Sequence, residues 1–191
     1  MKQTDEEYIR LSPSLADEEY RIAAARECMK VIGIDPGFTG ALVCLQRNKI
    51  ISYIDMPVKE VNGRTALDIP IVSAWLVDQH NGSFYPPIRV VIEHVHAAPK
   101  QGVSSVFRFG EQFGILQALA HEIIGPPLLV SPQKWQAFAR FESGDTKSAG
   151  RARAVALFPD AANIFARVKD HGRADAALIA HWGLTSGVLE P

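Results

Sequence analysis

The sequence has 191 residues, of which 47% are hydrophobic and 21% are charged, and its formal net charge is −1. This length predicts one main domain with an ordinary hydrophobic core. No apolar run reaches the roughly 18 to 20 residues of a membrane-spanning helix, and the N-terminus is acidic where a secretory signal is basic. The two cysteines, Cys28 and Cys44, are too few for a disulfide framework. We therefore expect a cytoplasmic protein with reduced thiols and no membrane partner.

The first 29 residues differ in character from the rest of the chain. Two acidic-aromatic tetrads, at residues 5–8 and 17–20, lie on either side of a Ser-Pro-Ser segment. We predict a short helix at residues 16–29 and disorder before it. The sequence therefore predicts two units, an acidic appendage at residues 1–29 and a folded domain at residues 30–191.

Hydrophobic patterning divides the folded domain into strands and helices. Arg47-Asn48-Lys49 suits a hairpin, so the first three strands are expected to form an antiparallel meander, and residues 61–64 are expected to form a polar loop. The expected strands cover residues 30–35, 40–46, 49–57, 89–93 and 128–130, and the expected helices cover residues 68–79, 103–124, 132–140, 146–157 and 171–186. This order predicts an α/β fold in which helices flank a mixed sheet.

Acidic residues stand at the ends of two predicted strands and at the start of a predicted helix. Asp35 ends the first strand, and the turn after it holds the carboxylate at the strand tip, because Gly37 and Gly40 permit positive φ. Glu93 ends another apolar strand, and an acidic group at residues 169–175 opens the last helix. Clustered carboxylates of this kind are typical of a site for divalent metal ions.

This order of strands, helices and acids resembles the ribonuclease H-like fold, and within it the RuvC family of Holliday-junction resolvases. The resemblance covers residues 30–186. Each of its motifs is common by itself, whereas their order and spacing together are specific to the family. The motifs lie at residues 32–40, 91–93, 130–135, 147–153 and 173–178.

The resemblance implies a set of acidic catalytic residues that bind metal. Three of them match the family's motifs directly: Asp35, Glu93 and Asp175. The family places a fourth ligand three residues before the last Asp, and in this sequence Gly172 occupies that position. Asp170 and His171 are therefore both candidates. Asp170 is preferred, because a hard carboxylate suits Mg²⁺ better than an imidazole does.

The implied cofactor is a pair of Mg²⁺ ions, for which Mn²⁺ is expected to substitute. Hydrolysis of a phosphodiester needs an activated water, a stabilised phosphorus centre and a stabilised leaving oxygen, and two divalent ions supply all three. Lys147 opens a helix rich in basic residues and resembles the family's lysine near the scissile phosphate. It is expected to offset negative charge there, and the alternative is an ordinary surface lysine.

The resemblance also implies a branched DNA partner, and the charge distribution agrees. Residues 134–173 carry eight Lys and Arg against four Asp and Glu, a net charge of 8 − 4 = +4. Such a basic segment can hold a phosphate backbone although the whole chain is nearly neutral. We expect DNA contacts from side chains in this segment and in the loop after Glu93: His96, Lys100, Gln101, Lys134, Arg151, Arg153 and Arg173. A zinc site at His94 and His96 is not expected, because these side chains alternate in an extended chain.

A four-way junction has two-fold symmetry and needs two symmetric nicks, so the implied assembly is a homodimer. The helix at residues 103–124 is the interface candidate. Phe107, Phe109 and Phe113 on it are expected in the core or in that interface, and the alternative is a wedge that enters the DNA. Another nuclease of this fold would act on flaps or RNA–DNA hybrids, and a non-catalytic junction-binding protein is a further alternative. An actin-like ATP-binding protein has a similar Asp-x-Gly-x-Thr-Gly hairpin, but such proteins usually exceed about 300 residues.

Overall fold

The computed structural model describes residues 15–80, 87–96, 102–139 and 146–189. This part of the chain contains seven strands and six α-helices. The strands are β1 (Lys30–Asp35), β2 (Ala41–Gln46), β3 (Lys49–Asp55), β4 (Val58–Val61), β5 (Arg64–Leu67), β6 (Ile88–Glu93) and β7 (Leu128–Val130). The helices are α1 (Leu15–Cys28), α2 (Ile69–His80), α3 (Val103–Ile123), α4 (Pro132–Ala139), α5 (Thr146–Leu157) and α6 (His171–Thr185), and two 3₁₀ segments, Pro159–Phe165 and Val168–Asp170, precede α6.

The central sheet has five strands in the order β3-β2-β1-β6-β7. Strand β1 pairs with β2 in an antiparallel ladder and with β6 in a parallel ladder, so the sheet is mixed. The four apolar residues 31–34 of β1 are all buried, because helices cover both faces of this strand. The predicted α/β class, with an antiparallel meander and parallel strands between helices, is confirmed.

Two hydrophobic clusters lie on the two faces of the sheet, and β1 contributes to both. Val31 packs on the face that α4, α5 and α6 cover. Ile32 and Ile34 point to the other face, where they meet α2 and α3. Because side chains alternate along a strand, Gly33 and Asp35 share the α6 face with Val31. Val91 on β6 belongs to the same cluster, and Glu93 lies two residues after it, so the Glu93 side chain is on that face as well.

Helix α6 lies unusually close to β1 because small residues face the sheet. A Cβ atom on Gly33 would lie 2.1 Å from the Ala176 carbonyl oxygen and 2.5 Å from the Ala180 nitrogen. A Cβ atom on Gly183 would meet Val91 at 2.7 Å. Real Cβ contacts are longer than this, so any larger residue here would push the helix away from the strand.

One predicted loop is wrong. Residues 61–64 form the turn of a two-stranded hairpin, β4–β5, instead of an irregular polar loop. Asn62 and Gly63 both have positive φ, 52° and 72°, as a two-residue type I′ turn requires. Arg47 and Asn48 also have positive φ, 49° and 56°, which agrees with the predicted hairpin between β2 and β3.

Within the described ranges, no helix is both long enough and apolar enough to cross a lipid bilayer. The predicted helix at residues 16–29 is present as α1. At the end of α1, the Cys28 carbonyl oxygen accepts a hydrogen bond of 2.8 Å from the Gln46 side chain, and Met29 is buried in the core. The predicted boundary between residues 29 and 30 stays a prediction.

Candidate active site

The turn after β1 is held by contacts from its own backbone and from α3. The Asp35 carboxylate accepts a hydrogen bond of 3.1 Å from the Gly37 N–H, and the Gly40 N–H donates to the Gly37 carbonyl at 2.9 Å. From α3, the buried Gln112 amide donates to the Pro36 carbonyl oxygen at 2.8 Å. These contacts hold the Asp35 carboxylate in place at the tip of the central strand.

The glycines of this turn act differently from the prediction. Neither Gly37 nor Gly40 has positive φ, so the turn does not use the positive φ that these glycines permit. Gly40 is required by space instead, because a Cβ atom there would lie 2.2 Å from the Asp35 carbonyl oxygen and 2.8 Å from its carboxyl carbon. The close approach brings the start of β2 against the side chain of Asp35.

Glu93 lies beside Asp35 at the end of the neighbouring parallel strand. The ladder pairs Ile34 with Ile92, so the next residue of each strand is the acid. Burial, and next to it the negative charge of Asp35, raise the pKa of Glu93 to about 7. The Trp135 indole N–H donates to Glu93 Oε1 at 3.0 Å and opposes this rise in pKa. Two carboxyl groups therefore lie close enough to repel each other.

The first turn of α6 packs on the turn that carries Asp35. A Cβ atom on Gly172 would lie 2.3 Å from the Thr39 carbonyl oxygen and 2.7 Å from Gly40 Cα. There is no room for the family's usual ligand at this position. His171 lines a cavity of about 250 Å³ together with Thr39 and Gly40. Asp175 is three residues beyond Gly172 and so lies on the same side of the helix, one turn further along.

Asp170, the preferred fourth ligand, is buried against two arginines. Its Oδ1 accepts from Arg167 Nη2 at 2.8 Å, its Oδ2 accepts from the Arg167 backbone N–H at 2.8 Å, and Arg173 Nη1 lies 3.6 Å from Oδ1. The hydrogen bonds from Arg167 lower the pKa of Asp170 most, against the opposing effect of its burial. Because both oxygens are engaged by cationic partners, these contacts argue against Asp170 as a metal ligand.

Arg173 is also engaged inside the protein. Its guanidinium donates to Asp55 at 2.5 and 2.6 Å, donates to the Ile164 carbonyl at 3.3 Å, and lies 5.0 Å from the centre of the Tyr53 ring. The hydrogen bonds from Arg173 lower the pKa of Asp55. This ion pair ties the first turn of α6 to the end of β3, and it leaves the predicted DNA contact of Arg173 without structural support.

The described side chains include no group of three or more His, Cys, Asp and Glu residues placed to hold a metal ion. They do include the coupled pair Asp35 and Glu93, whose mutual repulsion a cation would relieve. Carboxylate oxygens are the donors that Mg²⁺ and Mn²⁺ prefer. The donor set therefore fits a hard divalent ion at this pair, with His171 and Asp175 on the adjacent helix.

No protein-family model and no curated protein sequence matches the chain. Two solved structures match its fold over 85% of this chain and 99% of theirs. One, "T. thermophilus RuvC in complex with Holliday junction substrate", has a TM-score of 0.61 at 19% identity. The other, "Thermus thermophilus RuvC structure", has a TM-score of 0.53 at 17% identity. The chain has the RuvC fold.

On this RuvC fold, the predicted DNA-binding residues fall into three groups. Lys134 on α4 and His96 after β6 are exposed. Arg151 and Arg153 on α5 are half-buried, and the Nε atom of each is buried without a hydrogen-bond partner in the part of the chain that the structure describes. The third group is Lys100 and Gln101, which lie outside the described residues. Lys147, the predicted catalytic lysine, is the second residue of α5.

The two histidines after β6 do not point apart as predicted. The rings of His94 and His96 have centroids 4.3 Å apart, and His94 also stacks on Phe113 at 6.1 Å. No third potential ligand joins them in the described ranges. The pair therefore makes an aromatic contact with α3, next to Glu93 in the chain.

Sequence reasoning missed two residues that support the site. Trp135 is buried in the core, and its indole N–H also holds Glu93. The signal was available in principle, because a buried tryptophan needs a partner for its N–H. Gln112 carried no comparable signal, because its contact with Pro36 joins residues 76 positions apart.

Proposed function

We propose that the protein is a DNA endonuclease that resolves four-way junctions by metal-dependent phosphodiester hydrolysis. The observation that carries this proposal is the pair Asp35 and Glu93, held at the ends of adjacent parallel strands in a RuvC fold. One of the solved structures that share this fold is described as a complex with a Holliday junction substrate. The pair alone would suit many metal enzymes, and the fold directs the proposal to branched DNA.

The metal ligands in this proposal are Asp35, Glu93 and Asp175, with His171 as the fourth. His171 replaces Asp170, because Arg167 and Arg173 already neutralise that carboxylate. When bound, two Mg²⁺ or Mn²⁺ ions supply the activated water and the stabilisation of the leaving oxygen. The protein contributes the rigid placement of the carboxylates, and Trp135 orients Glu93 through its N–H. Asp170 instead anchors the start of α6.

The DNA is proposed to cross the end of the sheet where the carboxylates lie. Lys134, Arg151 and Arg153 are placed on α4 and α5, on the same sheet face as Asp35, and would contact phosphates. Lys147 opens α5 and would offset charge at the scissile phosphate. His96, Lys100 and Gln101 follow Glu93 and would contact the branch point. All of these roles are inferred from position.

The active assembly is proposed to be a homodimer that makes paired nicks and leaves 5′-phosphate and 3′-hydroxyl ends. Helix α3 supplies the interface, because its outward surface exposes Val103 and Phe107 and carries Gly110 and Gly114, where an added Cβ atom would meet no other described element within 4 Å. A glycine-lined helix face allows a second helix to approach closely. Two sites related by a two-fold axis match the symmetry of the junction.

The test is to incubate the protein with a labelled four-way junction, a matched duplex, a flap and an RNA–DNA hybrid, each with Mg²⁺, Mn²⁺ or EDTA. We expect symmetric nicking of the junction only, with either metal and not with EDTA. Asp35→Asn should abolish nicking, by at least about 100-fold, and retain junction binding. Preferential cleavage of the hybrid or the flap would mean that the junction is not the substrate. Binding of the junction without cleavage in either metal would contradict the nuclease proposal.

A further inference from the structure

A groove runs beside the Asp35 turn on the sheet face opposite to α6. It consists of two adjoining cavities of about 490 and 580 Å³ that share Phe38, Thr65 and Arg108. Helix α3 forms one wall, and the hairpin β4–β5 forms the other. We call it the Phe38 groove. Each cavity falls in the range of about 300 to 1,000 Å³ that is typical of small-ligand sites.

The groove combines aromatic and cationic side chains. Phe38 and Phe109 line it. Arg64, at the turn of the hairpin, faces Arg108 on α3 across the second cavity, and Glu111 also lines that cavity. The described side chains that line the groove therefore carry a net charge of +1. Aromatic faces beside cations are the surface that unpaired nucleotides bind, through base stacking and phosphate contacts.

The floor of the groove is connected to the candidate active site. Gln112 lines the groove, and its amide nitrogen must face Pro36, because the Pro36 carbonyl can only accept a hydrogen bond. This orientation leaves Gln112 Oε1 buried and without a hydrogen-bond partner among the described residues. Unsatisfied buried polar atoms are rare outside functional regions. Phe38 itself lies only three residues after Asp35, so an occupant of the groove would adjoin the carboxylates.

We propose that the Phe38 groove binds an unstacked nucleotide of the DNA strand, with its base against Phe38 and Phe109 and its phosphate beside Arg64 and Arg108. This inference rests on the proposed function, since it assigns a part of the same substrate to a second surface. It requires that the strand cross the end of the sheet from α4 and α5 to α3. A branched junction supplies such nucleotides, because base pairs at the branch point are readily opened.

The test measures equilibrium binding of the full chain to a labelled four-way junction in EDTA at several salt concentrations. Arg64→Ala and Arg108→Ala should each reduce the slope of log affinity against log salt by about 0.7 to 0.9, as expected for one lost phosphate contact. Arg47→Asn is the matched control, because Arg47 is a cation at the positive-φ turn of the other hairpin, at the opposite end of β2. It should leave the slope unchanged.

A second readout identifies the base. Nucleotides around the branch point are replaced one at a time by an abasic linker, and one replacement should weaken binding by about 5- to 150-fold, the range expected for one stacked base. Phe38→Leu should reduce the affinity for the intact junction by a similar factor. It should not reduce the affinity for that abasic junction any further, because the stacked base is already absent. Phe38→Trp, which keeps an aromatic face, should restore binding.

The outcomes separate this inference from the proposed function. If the wild-type protein nicks the junction while all groove variants bind like Arg47→Asn, the groove proposal is wrong and the nuclease proposal stands. A change in oligomeric state of the variants with an unchanged salt slope would make the groove a contact between copies of the chain, which also overturns the proposal. A wild-type protein that does not bind branched DNA would overturn both.

Discussion

Glu93 is subject to opposing influences on its protonation. Burial and the charge of Asp35 favour the neutral acid, and the Trp135 N–H favours the carboxylate, which leaves the pKa at about 7. In the metal-free protein, Glu93 is therefore largely protonated below pH 7 and ionised above it. A metal ion at this residue has to displace the remaining proton, so its affinity must fall as the pH is lowered through this range.

Replacing Trp135 with Phe tests this balance. Loss of the N–H donor should raise the pKa of Glu93 further, so that the pH at which Mg²⁺ affinity is half-maximal moves upward by about one unit. That shift corresponds to the ~1.5 kcal/mol of a hydrogen bond to a charged group. Calorimetric titration of Mg²⁺ between pH 6 and 9 measures it. Trp75→Phe is the control, since it removes a comparable bond, 3.1 Å to Ser52, away from the carboxylates.

Helix α6 carries two candidate ligands, and small residues determine its position. Gly172 lies against Thr39, and Ala176 and Ala180 lie against Gly33, so the helix is set by backbone contacts with β1 and its turn. This packing explains why the chain has glycine where the resembling family has a ligand. The departure at Gly172 therefore reflects close packing and does not by itself indicate a lost site.

Restoring the family's residue should damage the protein. Gly172→Asp should lower the free energy of unfolding by about 3 kcal/mol or more and reduce nicking, because the new Cβ overlaps the Thr39 carbonyl and adds a charge near Asp35. Chemical denaturation and the junction assay measure the two effects. Ala74→Asp, at an exposed position of α2, is the control for the added carboxylate and should change the free energy of unfolding by less than about 1 kcal/mol. Normal stability with increased activity in Gly172→Asp would contradict the packing argument.

A second contact holds α6 from the side. Arg173 bridges Asp55 at the end of β3 and Asp170 at the start of the helix, and only 12% of its side chain is exposed. Asp55 is 62% exposed, so solvent weakens its share of the ion pair. The pKa of Asp55 is lowered in the folded state, so its contribution is present above the unfolded value of 3.8 and is lost as the pH falls through the folded value.

The two partners of this pair should respond unequally. Asp55→Asn should cost less than about 1 kcal/mol at pH 7, and Arg173→Ala about 2 to 3 kcal/mol, because the second change also strips a cation from buried Asp170. Urea denaturation of both single variants and the double variant gives the coupling. Lys49→Ala, which removes a pair with Asp160 at 74% and 84% exposure, serves as the control and should change little. Equal costs for the two variants would argue against the role assigned to Asp170.

At the scale of the whole molecule, one end of the sheet collects the candidate chemistry. The parallel pairing of β1 and β6 brings two acids to the same end, α6 covers them on one face, and the Phe38 groove adjoins them on the other. All four proposed ligands come from one chain. A symmetric pair of nicks then needs two chains, as the proposed homodimer provides.

Mixed dimers test this arrangement. A dimer with one wild-type and one Asp35→Asn subunit, isolated through two different affinity tags, should nick only one strand of a cruciform plasmid and yield open circles. Wild-type dimers with the same two tags should yield linear plasmid. Gel analysis of the products distinguishes the two, and sedimentation reports the assembly. If the mixed dimer yields linear plasmid in one binding event, a single site cuts both strands, and the proposed need for two active subunits is wrong.

The order and type of the main elements and the two strand-tip acids can be predicted from the sequence, because apolar periodicity and the Pro-Gly turn are local signals. The sequence also contained the Asn62-Gly63 signal of the β4–β5 hairpin, which was mistaken for a loop. Three contacts are evident only in the folded chain: Arg167 neutralises Asp170, Trp135 supports Glu93, and Arg173 meets Asp55, 118 residues away. These contacts depend on how the helices pack on the sheet, and no pattern within a short stretch of sequence predicts that packing.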